Sequence, residues 1–290
     1  MSKIQVFTDT GADMTDELKA FGVKIVPLYI TFDGKTSLKQ MEEITLDDFY
    51  KRMREPHDMH PRTSLAPIGD YIDIFTDELE KGNDVLYLCM NGKFSSTLGA
   101  ANNAKQMLEE EFPDRKIEVI DSKTVTYGQH YMAREAQKMA DNGASMEEIV
   151  SMIKNVQESI KYFFTVETLD YLRDGGRIGG AEALLGGLLN IKPVLLIDND
   201  AEVKAITKVR GRNKSLDAII DEAEKFFEGK DKSKYNVTIL EGDILDEAME
   251  FKKDVEERLG ITCDEVCRLG ISIGLHAGPG TMGISIIEKP

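Results

Sequence analysis

The chain has 290 residues, 41% hydrophobic and 30% charged, a composition that predicts one large or two ordinary folded domains rather than a disordered chain. Its 36 basic and 52 acidic residues give a formal net charge of −16. This charge repels nucleic-acid phosphates and anionic membranes, so we expect neither nucleic-acid binding nor stable membrane insertion. A signal-peptide pattern and a membrane-length apolar run are both missing from the sequence, which predicts a cytoplasmic protein.

The first part of the chain alternates short apolar runs with segments of helical period. Strands are predicted at KIQVF, VKIVPLYITFDG, DVLYLCM and KIEVID. Helices are predicted at MTDELKAFG, at LDDFYKRMRE, from about residue 95, and over roughly 125–142 and 145–160. This alternation predicts an α/β fold with a largely parallel sheet and helices on both of its faces.

The pattern changes after residue 160, where we place a boundary between two α/β domains, 1–160 and 161–290. YFFTVE and IKPVLLID read as strands, and VKAITKVR follows after a short turn, which predicts an antiparallel hairpin. Two more strands are predicted at YNVTIL and DEVCRLGISIGL. The second domain is therefore expected to contain a mixed sheet with helices.

The three cysteines do not form a disulfide framework or a common zinc-binding pattern. Cys263 and Cys267 are separated by three residues, and no histidine pair lies near them in sequence. We interpret them as buried structural thiols, and we predict neither a metal nor a cofactor.

Polar residues follow the first predicted strand in the stretch TDTGADMT. The carboxyl ends of parallel strands are where open α/β sheets bind ligands. Asp9 and Asp13 could there bind a metal or capture ligand hydroxyls. We favour the alternative that they cap turns and the helix that follows, together with Thr8, because a site with two carboxylates has no third ligand nearby.

Two pairs of hydroxyl side chains precede predicted helices. Thr63 and Ser64 lie in HPRTSLAP, and Ser95 and Ser96 lie in NGKFSSTLGAA. Either pair could supply a helix N-cap, and hydroxyls at a helix start also bind anions because free backbone N–H groups point the same way. The pattern alone leaves both roles open.

Three further features stand out near the C-terminal half. Six of the 24 glycines fall within residues 175–187, interleaved with leucines, and Arg177 lies among them where an anion could reach it. Arg210 and Arg212 form a basic island in KVRGRNKS, either a solvated hairpin end or a contact for a phosphate or an acidic partner. His276 follows the apolar run 269–275, which we predict as a strand that ends in the turn HAGPG.

These segments, in this order, resemble the DegV family of bacterial fatty-acid-binding proteins. The matching pieces span nearly the whole chain: TDTGADMT, RTSLAP, FSSTLGAA, VIDSKTVTYGQ, YLRDGGRIGG with LLNIKPVL, KVRGR and GLHAGPGTMGI. The glycine-rich piece and the HAGPG piece are the most distinctive.

The resemblance implies two α/β domains with a long-chain fatty acid of the palmitate, stearate or oleate class held in an apolar tunnel between them. The residues that it implies for binding are Thr63, Ser64, Ser95, Ser96, Arg177, His276 and Gly278. Hydroxyls and His276 would hold the carboxylate, with Arg177 close by. Some family members present the bound acid to a separate kinase subunit, which forms an acyl phosphate for phospholipid synthesis, and Arg210 and Arg212 are the candidate kinase contacts. The chain itself would have no catalytic activity.

Two alternatives stay open. A serine-dependent acyl hydrolase or acyltransferase would use Ser95 or Ser96 as nucleophile and His276 as base. A nucleotide- or sugar-binding regulator would use an α/β scaffold, but no phosphate-loop motif is present. The sequence does not decide the acyl chain length, or which of the two serines faces the carboxylate.

Overall fold

The computed structural model describes residues 3–55, 60–184, 190–198 and 202–290. The described residues divide into two compact units. The first takes those within Met1–Leu46, His57–Gln157 and Gly270–Ser272, and the second takes those within Asp47–Pro56, Glu158–Leu269 and Ile273–Pro290. Each unit is thus assembled from separate stretches of chain. The division into domains 1–160 and 161–290 stays a prediction.

The first unit contains one parallel and one small antiparallel sheet. Its strands are β1 (Ile4–Asp9), β2 (Lys24–Val26), β3 (Tyr29–Thr31), β4 (Leu38–Lys39), β5 (Arg62–Ser64), β6 (Asp84–Cys89) and β7 (Ile117–Asp121). The parallel sheet has the order β2-β1-β6-β7, and the antiparallel sheet has the order β4-β3-β5. Every residue of β1 and β6 is buried, as expected for central parallel strands covered on both faces.

Helices cover both faces of the parallel sheet, which confirms the predicted α/β fold. The helices of the N-terminal part of the chain are α1 (Thr15–Ala20), α2 (Leu46–Met53), α3 (Ile68–Leu79), α4 (Thr97–Glu111), α5 (Thr126–Asp141) and α6 (Met146–Ser159). Apolar side chains of α3 and α4 form a core with Phe7 and Tyr87 on one face. On the other face α5 packs along β1, where Gln129 donates a hydrogen bond to the Thr8 hydroxyl.

The run VKIVPLYITFDG, predicted as one strand, is divided between the two sheets. Its first part is β2 in the parallel sheet, and its second part is β3 in the antiparallel sheet. Pro27 lies between them and has no N–H to donate to a neighbouring strand, so the ladder ends there.

The second unit is built on a mixed sheet. Its strands are β8 (Lys161–Thr165), β9 (Ile191–Ile197), β10 (Val203–Arg210), β11 (Tyr235–Glu241), β12 (Glu265–Arg268) and β13 (Met282–Glu288). Their order is β10-β9-β8-β13-β11-β12, with β11 and β12 parallel and the other pairs antiparallel. The predicted antiparallel hairpin is the pair β9–β10, with Val203 opposite Ile197.

The remaining helices are α7 (Asp170–Asp174), α8 (Arg212–Phe227), α9 (Leu245–Leu259) and α10 (Ile271–Ala277). Buried residues of α8 and α9, such as Ile219 and Phe251, form one core with Ile239 and Ile284 of the sheet. Part of the glycine-rich segment forms a 3-10 helix, Gly179–Leu184. Leu185, Leu188 and Leu189 lie outside the described residues. Nowhere in the described ranges is a helix long and apolar enough to cross a membrane.

The prediction of a strand over the apolar run before His276 is wrong. Strand β12 ends at Arg268, and the run continues as helix α10. A short apolar run fits a buried strand and a buried helix equally well by pattern. Burial at Ile271 and Leu275, four residues apart, is consistent with the helix.

Arg268 at the end of β12 ties α2 into the second unit. Its guanidinium donates to Asp47 at 2.6 Å and to Asp243, and it lies over the Tyr50 ring at 5.0 Å from the centroid. Arg54, just after α2, also pairs with Asp243. A planar, forked donor can serve two carboxylates and an aromatic face at the same time.

We expect Arg268→Ala to lower the free energy of unfolding by about 1–3 kcal/mol, because two charge-assisted hydrogen bonds are lost. Arg268→Lys keeps the charge but not the fork, and it should recover only part of this loss. Urea denaturation measures both variants. An unfolding midpoint for Arg268→Ala equal to that of the wild type would contradict this role.

Candidate functional site

Asp9 ends β1, and both of its carboxylate oxygens accept hydrogen bonds inside the protein. One carboxylate oxygen accepts from Gly11 N at 2.9 Å, and the other accepts from Met90 N at 2.8 Å and from the Tyr87 hydroxyl at 3.0 Å. Gln129 Nε2 donates to the first of these oxygens, Oδ1, at 3.1 Å. Burial raises the pKa of Asp9 above its usual value. Asp9 caps the 3-10 helix Thr10–Ala12, so the capping interpretation is confirmed for this residue.

Asp13 does not cap helix α1, contrary to the capping interpretation. The N-cap position of α1 belongs to Met14, and Asp13 instead accepts from Gly270 N at 2.8 Å and from the Thr126 hydroxyl. Both partners lie in the first unit. Gly270 directly precedes α10, so this buried carboxylate holds the start of the helix that carries His276.

In the part of the chain that the structure describes, no group of three or more His, Cys, Asp or Glu side chains could hold a metal ion. The three cysteines are free and buried, which confirms the interpretation of Cys263 and Cys267 as buried thiols. Burial raises the pKa of Cys89, and it raises the pKa of Cys263 to about 12. The thiols of Cys89 and Cys263 therefore stay protonated at neutral pH.

Thr63 and Ser64 lie on strand β5 and do not cap the helix that follows. Helix α3 begins at Ile68 with Pro67 at its N-cap position. Thr63 is half-buried opposite Ile30, and Ser64 is exposed opposite Tyr29. The prediction that these hydroxyls stand at a helix start is wrong, because β3 extends the local sheet by pairing with them.

Ser95 and Ser96 lie immediately before α4, in the loop after β6. Ser96 occupies the N-cap position, but its side chain makes no capping hydrogen bond and is exposed. Ser95 is half-buried; its hydroxyl accepts from Thr97 N at 3.3 Å and also bonds the Thr97 hydroxyl. The two serines therefore differ: one hydroxyl is held in place, and the other is open to solvent. In the order β2-β1-β6-β7, the strand that follows β1 in the chain lies on one side of it, and β6 lies on the other. Open α/β sheets bind ligands at the carboxyl ends of two such strands, and the loop with Ser95 and Ser96 follows the carboxyl end of β6.

His276 lies in the last turn of α10, half-buried. Its ring packs against the backbone of Gly175, at the end of α7, so closely that a Cβ at Gly175 would overlap with Nδ1 of His276. Arg177 donates from Nη1 to the carbonyl of the same glycine at 2.6 Å. Two of the predicted binding residues, distant in sequence, thus meet around Gly175.

Gly278 ends α10 in the left-handed region, with φ of 82° and its N–H donating to Gly274 O at 2.8 Å. A Cβ at Gly278 would overlap with the ring of Tyr171 in α7. The Thr281 hydroxyl donates to the Gly278 carbonyl at 2.8 Å. The HAGPGT turn is therefore held from both sides, and glycine is required here by conformation and by space.

Arg210 and Arg212 are in different environments. Arg210 ends β10 and is exposed. Arg212 opens α8 and makes a two-pronged ion pair with Glu247, with N···O distances of 2.9 and 3.0 Å. The Arg212 guanidinium is therefore already bound to a carboxylate within the second unit, whereas Arg210 is exposed. The sequence analysis gave both arginines the same role.

The structure assigns the predicted binding residues to both units. Thr63, Ser64, Ser95 and Ser96 belong to the first unit, and Arg177, His276 and Gly278 belong to the second. Sequence reasoning missed Tyr171, Gly175 and the bond from Gly270 to Asp13. The glycine-rich run was a signal for Gly175, whereas the Asp13 bond joins residues 257 positions apart and has no local signal.

Comparison with known proteins also points to the DegV family, and the match runs along the whole chain. The family model described as an uncharacterised protein of the DegV family matches residues 3–289. The chain belongs to the DegV family. A DegV domain-containing protein of Caldanaerobacter subterraneus is 35% identical, with 100% of both chains covered.

Two solved structures have the same fold. A stearic acid-binding protein from Eubacterium ventriosum has a TM-score of 0.92 and 34% identity, over 100% of this chain and 99% of that one. A fatty-acid-binding DegV family protein from Thermus thermophilus has a TM-score of 0.84 and 31% identity, over 99% and 100%. The DegV fold predicted from the sequence motifs is therefore confirmed.

We expect Asp13 to make the stability of this DegV protein depend on pH. Burial raises the pKa of Asp13 to about 7, so between roughly pH 4 and pH 7 the folded protein keeps a proton that the unfolded chain releases. The contribution of Asp13 to the free energy of unfolding should fall as pH rises through this window, by on the order of 4 kcal/mol in total.

Asp13→Asn should remove this share of the pH dependence, measured by urea denaturation at several pH values across the window. Asp16→Asn, at an exposed position three residues along, is the matched control for losing one carboxylate. Wild-type and Asp13→Asn stability curves that run parallel with pH would show that Asp13 does not titrate as described.

Proposed function

We propose that this DegV protein is a carrier that binds one long-chain fatty acid without covalent chemistry. The observation that supports this most strongly is its likeness, over the full chain, to a stearic acid-binding protein at 34% identity. The expected ligands are saturated or monounsaturated acids of the palmitate, stearate or oleate class. In this proposal the carboxylate is bound by Thr63, a serine before α4, and His276, with Arg177 beside His276.

The physical chemistry of such a ligand supports this set of residues. Burial of about fifteen methylenes contributes roughly 12 kcal/mol before the costs of association. The carboxylate enters with the chain, and an unpaired buried charge costs several kcal/mol. Hydroxyl and imidazole donors offset that cost through charge-assisted hydrogen bonds.

Of the two serines we propose Ser95 as the carboxylate ligand. Its oxygen accepts from Thr97 N at 3.3 Å, which holds the hydroxyl in place on a half-buried side chain. A donor already held in place loses less conformational entropy when it binds. Ser96 is exposed and makes no capping bond, so it serves as the matched control.

We expect His276→Ala and Ser95→Ala each to weaken fatty-acid affinity by about 10-fold or more, because each removes a hydrogen bond to a charged group. Ser96→Ala should bind as the wild type does. Mass spectrometry of the purified proteins, native and after organic extraction, measures the bound acid, and titration with oleate measures affinity. A wild-type protein that is empty and takes up neither oleate nor palmitate would refute the carrier proposal.

The same variants test the hydrolase alternative. The hydroxyl of Ser95 bonds to Thr97, an arrangement that holds a binding donor rather than activating a nucleophile. The carrier proposal therefore predicts no turnover of a p-nitrophenyl acyl ester. Turnover by the wild type that disappears in Ser95→Ala or Ser96→Ala would favour the hydrolase.

We further propose that the carrier presents its acid to a separate fatty-acid kinase, with Arg210 as a contact. Arg210 is exposed, whereas the fork of Arg212 is engaged by Glu247. An exposed arginine can pair with an acidic partner without first breaking a bond within its own chain.

Arg210→Ala should lower the rate at which a fatty-acid kinase with ATP forms acyl phosphate from the loaded carrier, and leave oleate affinity unchanged. Lys230→Ala, which removes another cation of the second unit, is the control. An unchanged rate in Arg210→Ala would refute the contact, whereas a wild-type carrier that supports no acyl phosphate formation would refute presentation to that kinase.

A further inference from the structure

Gly175 is required to be glycine by the space around it and not by its backbone conformation. Its φ of −78° is one that any residue adopts. Space is the constraint: a Cβ would overlap with Nδ1 of His276, lie 2.8 Å from Cε1 of the same ring, and lie 3.0 Å from the Tyr171 carbonyl oxygen. The imidazole edge therefore lies directly against the backbone at the end of α7.

We propose that Gly175 is a positioning residue for His276. Without a side chain at this position the imidazole lies flush with the α7 turn, and this contact sets the ring position from which His276 meets a fatty-acid carboxylate. The inference rests on the proposed function, since it concerns the same histidine. It adds a residue whose missing side chain acts through the His276 ring.

The Gly175 side of this contact is held by its own hydrogen bonds. Gly175 N donates to Tyr171 O at 3.0 Å, Gly176 N to Arg173 O at 2.9 Å, and Arg177 N to Leu172 O at 2.8 Å. The backbone at Gly175 is therefore part of a bonded turn and cannot drift away from an added methyl group without loss of those bonds.

The His276 side is held as well. Gly278 N donates to Gly274 O at 2.8 Å and closes the last turn of α10, and the Tyr171 ring packs under Gly278. With both backbones held, the imidazole is the part that must move if Gly175 gains a Cβ. A shift of about 1 Å in a binding group is enough to weaken a designed contact.

Gly175→Ala tests this, with Gly180→Ala as the matched control from the same glycine-rich segment. A Cβ at Gly180 would lie 3.6 Å from Lys204 Cγ, an ordinary contact. We expect oleate affinity to fall by about 10-fold in Gly175→Ala, comparable to loss of the His276 hydrogen bond. Gly180→Ala should bind as the wild type does.

A double-mutant cycle separates positioning from a general effect on the fold. If the methyl group acts through the ring, Gly175→Ala should cost nothing further in a His276→Ala background. In NMR spectra the His276 ring signal, assigned by its loss in His276→Ala, should shift in Gly175→Ala and not in Gly180→Ala. A further loss of affinity in the double variant, or an unshifted His276 signal, would overturn the inference.

The outcomes also distinguish this inference from the proposed function. Wild-type affinity in His276→Ala would refute the headgroup assignment and this inference with it. Loss of affinity in His276→Ala together with wild-type affinity in Gly175→Ala would refute the positioning role alone. Should Gly175→Ala not fold, the double variant lacks the overlapping ring and is expected to fold, and its failure to do so would also overturn the inference.

Discussion

The position of helix α10 depends on one buried carboxylate. Asp13 accepts from the N–H of Gly270, and Gln40 accepts from the Ser272 hydroxyl at 2.9 Å, so the start of α10 is bonded to two separate parts of the first unit. A buried backbone N–H without a partner costs free energy comparable to a lost hydrogen bond, and Asp13 removes that cost. The helix can therefore begin inside the protein, at Ile271, shortly after β12 ends at Arg268.

The same reasoning supports a structural role for the acidic residues that follow β1. Asp9 already accepts from two backbone N–H groups, a tyrosine and a glutamine, and Asp13 accepts from Gly270 and Thr126. Carboxylates satisfied in this way have little capacity left for a metal or a ligand hydroxyl. Both carboxylates after β1 are thus engaged by hydrogen bonds within the protein.

Sequence reasoning reached the fold because the signals for it are local. Alternating strand and helix patterns predicted the parallel sheet, and the β9–β10 hairpin followed from its short turn. It failed at α10 because seven mostly apolar residues do not distinguish helix from strand, and the deciding bond comes from Asp13, 257 residues away. It likewise treated Arg210 and Arg212 alike, since only the fold brings Glu247 to Arg212.

Close packing explains three glycines in the two most distinctive DegV motifs, the glycine-rich piece and the HAGPG piece. Three glycines of the second unit each lie against a ring: Gly175 against His276, Gly274 against Phe49 and Tyr50, and Gly278 against Tyr171. Gly274 and Gly278 belong to or follow α10, so the helix meets its neighbours through bare backbone on two sides. On the glycine side of each contact there is only backbone, so the ring can approach closely and any adjustment must come from the ring. A histidine at the end of such a helix is held by the backbones around it, which agrees with the proposed role of His276 in binding a carboxylate.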